Sequence, residues 1–151
     1  MKKILITLFI FFTFTNLNAS MSGMDKVQLL VEDVGNKPCG LTRDGIIKST
    51  KYILLNSKLK FTTEFGSNSP LLYIQPIILG SDVNCSGVIK IQVKIYSQED
   101  PLGKMNVGHF LYYDQSILMR GGRTNFKKYY LDTLEDQLKD FIIEWSSWNQ
   151  N

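Results

Sequence analysis

The chain has 151 residues, 44% hydrophobic and 21% charged, with seventeen basic against fourteen acidic side chains. A chain of that size suits one domain with a single core, since such domains bury roughly two-thirds of their unfolded surface. The charge excess makes no case for a nucleic-acid partner. Lys2 and Lys3 supply two of its three charges, and without them the balance is fifteen to fourteen.

Lys2 and Lys3 precede the unbroken apolar run from Ile4 to Phe14, and a polar stretch then leads to Ala19. A short positive region, an apolar run and a small residue at the cleavage position form the pattern of a Sec secretory signal. The run is shorter than the about 20 residues that span a bilayer. Cleavage is expected at Ala19 or a neighbouring residue, and no cysteine follows that could take a lipid, so there is no lipobox. These features lead to the expectation of a signal peptide over residues 1–19 and a single domain over residues 20–151. The mature protein would be periplasmic or secreted, with no stable membrane insertion after cleavage.

Along residues 20–151, Lys26 to Val34 reads as a strand, rich in β-branched residues and stopped by Gly35, Asn36 and Pro38. A helix follows, with Thr42 as N-cap and Asp44 in its first turn, where the helix dipole favours negative charge. Ile46, Ile47, Thr50, Ile53 and Leu54 fall at helical spacing on one face. A short strand is expected within "KLKFTTEF", and a longer one from Leu71 to Leu79. Pro76 has no N–H to donate, so its strand should meet an edge or a bulge there. From Val88 the alternation is strict. Ile89, Ile91, Val93 and Ile95 face one way, and Lys90, Gln92, Lys94 and Tyr96 the other, as in an antiparallel sheet with one wet face. A fourth long strand, "VGHFLYYDQSILMRGG", could break near Asp114 and Gln115 into a hairpin. From about Asn125 to Trp148, Leu131, Leu134, Leu138, Phe141, Ile142 and Trp145 form an apolar helical stripe, with Glu135 and Lys139 at i, i+4 on the wet side. The expected fold is α+β, in the order β-α-β-β-β-β-α. Its antiparallel sheet of about four to five strands would carry two amphipathic helices on one face.

Cys39 stands just ahead of the first helix, where the dipole could activate a thiol, and His109 is the only histidine that could serve it as a base. In an oxidising compartment two cysteines usually pair, so a Cys39–Cys85 disulfide is the expected arrangement. Nothing resembles a redox C-x-x-C motif, and the soft ligands are too few for a metal centre. His109 lies in a strand with no visible orienting partner, which suits a packed or surface residue better than a catalyst. Glu99 and Asp100 beside Pro101 read as a solvated turn. No cofactor or metal is expected. A partner surface is expected where positive charge and aromatic rings interleave: Lys90, Gln92, Lys94 and Tyr96 on the wet strand face, then Arg120, Arg123, Lys127, Lys128 and Tyr130 at the last strand–helix junction.

The signal, Leu41 and Thr42 at a helix start, the strand residues Leu72, Tyr73 and Ile74, and the closing Phe141, Ile142, Glu144, Trp145 and Asn149 together resemble a set of small exported bacterial proteins of uncharacterised function. The element order is also similar to small α+β envelope domains such as the TolB amino-terminal domain and the outer-membrane activators of peptidoglycan synthases. That resemblance implies a protein partner in the cell envelope and no catalysis. The expectation is an exported, non-enzymatic binding module. A periplasmic immunity-type inhibitor of an effector is the second reading, and a small hydrolase using His109 the third.

Overall fold

The computed structural model describes residues 20–35, 38–66, 69–99 and 106–149. The expected signal segment, Asp100 and Pro101 lie outside the described residues. The elements are β1 (Lys26–Val31), a 3-10 turn (Pro38–Gly40), α1 (Arg43–Leu55), β2 (Lys60–Thr62), β3 (Leu71–Gly80), β4 (Asn84–Glu99), β5 (Asn106–Gly122) and α2 (Arg123–Asn149). The α+β class and the expected element order both hold.

The strands form one sheet in the order β2-β1-β3-β4-β5. β1 is parallel to both β2 and β3, while β3, β4 and β5 are antiparallel neighbours. The sheet is therefore mixed, which corrects the antiparallel sheet expected from the sequence. The cause is α1. A helix between two strands carries the chain back to its starting end, so β2 must run alongside β1 in the same direction. Period-2 alternation reports which face is buried and says nothing about strand direction, so the sequence pattern could not separate the two cases.

One face of the sheet packs on the helices. Val27, Leu29, Val31, Leu72, Ile74, Ile89, Ile91 and Val93 point there and are at most 3% exposed. From α1 come Ile46, Thr50, Ile53 and Leu54, and from α2 come Phe126, Tyr130, Leu134, Leu138, Phe141 and Trp145. The Thr42 hydroxyl accepts a hydrogen bond from the Gly45 amide at 3.1 Å, closing the first turn of α1 as its position predicts. At the far end of α2, Trp145 Nε1 donates to the Met24 carbonyl at 2.6 Å. Asn149 Nδ2 donates to the Met21 carbonyl at 2.9 Å, so the first described residues are tied to the last.

Pro76 sits in a central strand, yet its place is physically sound. The carbonyls of Pro70 and Ile74 accept from Gln28 and Glu32, so the even-numbered residues of β3 face β1. The β1 pairing ends at Ile74, and the missing N–H of Pro76 falls just past it. β5 does not break near Asp114. It runs on through a bulge: Val93 pairs with Tyr113 and Lys94 with Leu111, leaving Tyr112 unopposed.

Cys39 and Cys85 are bonded, with Cα atoms 6.1 Å apart and 46 positions between them in sequence. The bond ties the 3-10 turn before α1 to the start of β4. Cys39 has a φ of 57°, a left-handed conformation that costs a non-glycine residue roughly 1–2 kcal/mol. Cys39 is therefore a crosslink residue and has no thiol to activate.

Candidate binding face

With both helices on one side, the opposite face of the sheet carries no other element among the described residues. That face is built by alternation. β3 contributes Leu71, Tyr73, Gln75, Ile77 and Leu79, and β4 contributes Ser86, Val88, Lys90, Gln92, Lys94 and Tyr96. β5 adds Asp114, Ser116, Leu118 and Arg120, and β1 adds Gln28 and Leu30, with Glu32 just past its end.

Two zones divide it. In the first, Glu32 accepts hydrogen bonds from the Tyr73 hydroxyl and from Gln75 Nε2, the latter at 3.2 Å. Lys94 Nζ lies 4.1 Å from the centre of the Tyr73 ring and 3.5 Å from Gln92 Oε1. A cation over a ring is favoured by the ring quadrupole. Partial burial, and then the hydrogen bond and charge of Glu32, push the Tyr73 phenol up to about 12. Gln92 is held under its neighbours and is buried, whereas Glu32, Tyr73, Gln75, Lys90 and Lys94 are half-buried.

The second zone is apolar. Ile77, Val88 and Leu118 are paired across three adjacent strands in one row, with Leu79 beside them. Leu118 is 78% exposed and Leu79 is 71% exposed. Cross-strand rows of this kind normally stabilise a sheet by being covered. The sequence carries a signal for this row that strand alternation alone overlooks. β3 is apolar at both parities although helices cover one face, so its odd-numbered residues must show apolar surface to the outside.

The expected partner residues fall into three places. Lys90, Gln92, Lys94, Tyr96 and Arg120 share the uncovered face. Arg123 turns away and donates to the Ser81 carbonyl at 3.1 Å, Lys127 lies against Gly40, and Lys128 is exposed and ion-paired to Asp132 at 2.7 Å. Tyr130 is corrected. It is fully buried against the sheet, because residue 130 falls on the same helical stripe as Phe126 and Leu134, and burial raises its phenol pKa.

His109 also lies on the uncovered face, paired with Tyr96 across the ladder, and their rings meet edge-on at 5.5 Å. Beside them Gln28, Ser69, Leu71 and Lys94 line a cleft of ≈ 380 Å³. Among the described residues no group of three His, Cys, Asp or Glu side chains is placed to hold a metal ion. No helix among them is long and apolar enough to cross a membrane.

No family model matches the sequence, and no curated protein matches it. Among solved structures, a minor lipoprotein from Acinetobacter baumannii has a similar layout, with 11% identity and a TM-score of 0.41 over 83% of this chain and 93% of that one. No conclusion about this chain rests on that likeness.

Proposed function

We propose that the chain is an exported, non-catalytic protein-binding module that docks its partner on the uncovered sheet face. The observation that carries this reading is the juxtaposition on one face of the row Ile77–Val88–Leu118, exposed at Ile77 and Leu118 and half-buried at Val88, with Lys90, Lys94 and Arg120. Apolar area supplies affinity, and Lys90, Lys94 and Arg120, set among Glu32 and Asp114, orient a partner of complementary charge. The cysteine and histidine raised as a nucleophile pair do not come together. Cys39 is bonded to Cys85, and His109 packs on Tyr96. The disulfide and the signal-like amino-terminal sequence support export.

The test takes the protein purified from the envelope with its disulfide intact and a partner identified by cross-linking through Val88. The paired variant Lys90→Glu/Lys94→Glu should weaken binding of that purified partner by roughly tenfold or more, with only the small loss of thermal stability that goes with losing the Lys94–Tyr73 contact. Full affinity in the variant would overturn the reading.

A further inference from the structure

We propose that two copies of this chain pair through their β5 edges, in one antiparallel register centred on Ile117, to make a single continuous sheet. The odd-numbered residues of β3 bond to β4, and the alternation carried outward assigns the odd-numbered residues from Tyr113 to Gly121 to the β4 ladder. The N–H and C=O groups of Asp114, Ser116, Leu118 and Arg120 therefore point to the free edge, where no described residue pairs with them. A row of unpaired backbone groups is a template for another strand.

The usable segment is bounded on both sides. The bulge at Tyr112 bends the strand at one end, and α2 begins at Arg123 at the other. Between them lies a straight stretch whose midpoint is Ile117. It has no proline, and its only charged residues are Asp114 and Arg120.

A two-fold axis through Ile117 places Asp114 of each copy opposite Arg120 of the other, so both charges are paired twice over by symmetry. It also places Ser116 opposite Leu118, and every such pair joins residues with free edge groups. Shifting the axis to Ser116 sets Asp114 against Leu118 and Arg120 against the bulged Tyr112. Shifting it to Leu118 sets Asp114 against Gly122 and Arg120 against Ser116. Only the Ile117 register satisfies both charges. There the two exposed Leu118 side chains become diagonal neighbours across the seam and shield each other from water. The seam would also join two uncovered faces side by side; it draws Leu118 and Arg120 into the dimer and leaves Ile77, Lys90 and Lys94 for docking, and it does not depend on that reading.

The oxidised full-length exported protein can be followed by sedimentation equilibrium over a range of concentrations. The wild type is expected to form a concentration-dependent dimer. Asp114→Arg and Arg120→Asp should each weaken it by about tenfold or more, and the double swap should restore it, because opposite charges face each other again. Ser116→Pro removes an N–H that only the seam uses, so it should abolish the dimer while circular dichroism and thermal stability stay close to wild type. A wild type that remains monomeric throughout, or a dimer indifferent to the single charge reversals and to Ser116→Pro, overturns the proposal. A dimer weakened by the single reversals but not restored by the swap overturns the register.

Discussion

Cys39 is held in a left-handed backbone conformation by its bond to Cys85, which shows how a single residue can trade local strain for a long-range constraint. In the chain-entropy account, closing a loop of this length stabilises by about 4 kcal/mol before strain is subtracted. Replacing both cysteines by serine should therefore lower the unfolding free energy by about 2–5 kcal/mol in urea titrations. Gln137 presents the opposite case. It is 2% exposed, and neither end of its amide has a hydrogen-bond partner among the described residues. Leaving buried polar atoms unpaired costs about 1–3 kcal/mol, so Gln137→Met should raise stability by a similar amount. A loss instead would show that the amide holds a buried water. The tyrosines set an alkaline limit. Burial and then the charges of Glu144 and Asp140 push Tyr113 up to about 12; Tyr73 also rises to about 12, and burial raises Tyr130 as well. These folded-state values lie above the ordinary value of 10.0, so their contribution is complete below that pH. It is lost as pH rises through the folded values, because the unfolded phenols ionise first. Denaturant midpoints should accordingly fall as pH rises from about 10 to about 12.

At the scale of elements, α2 and β3 both press close on Gly87 of β4. A Cβ there would lie 2.9 Å from Ile78 Cδ1 and 3.0 Å from Phe126 Cζ. Ile78 ends in a flexible methyl, but the Phe126 ring is fully buried and cannot retreat. Gly87→Ala should cost about 1–3 kcal/mol, read as a lower thermal midpoint. Most of the elements were legible because their periodicity is strong. Ile46, Ile53 and Leu54 in α1 and Leu134, Leu138 and Phe141 in α2 are buried as their spacing predicts. Thr42 caps its helix, and Lys139 pairs with Glu135 at 2.9 Å. What was not legible is what sequence distance hides. The direction of β1 against β2 and β3 depends on where the chain returns, and the extra residue at Tyr112 looks like any other strand residue until its partner is known. Tyr130 was misplaced because its basic neighbours Lys127 and Lys128 drew it into a surface patch, while its helical phase puts it in the core. The partner face was half visible. The lysines of β4 announced it, but the row from Ile77 to Leu118 comes from three strands and forms only on pairing.

On the scale of the whole molecule, the layered build explains why binding is the reading that the structure favours. Both helices lie on one face, leaving the other with an apolar row beside charged residues on a sheet stapled at one end. Rigid strands hold such a surface in fixed register, which lowers the ordering cost of association. The most direct test is a photo-crosslinking comparison between the two sides of the molecule. A photoreactive residue at Val88, on the uncovered face, should give one discrete adduct with another envelope protein, and the adduct should vanish in the Lys90→Glu/Lys94→Glu background. The same residue at Leu55, exposed on α1 on the opposite side, should give none. Adducts at Leu55 with none at Val88, or Val88 adducts that persist after charge reversal, would contradict the account.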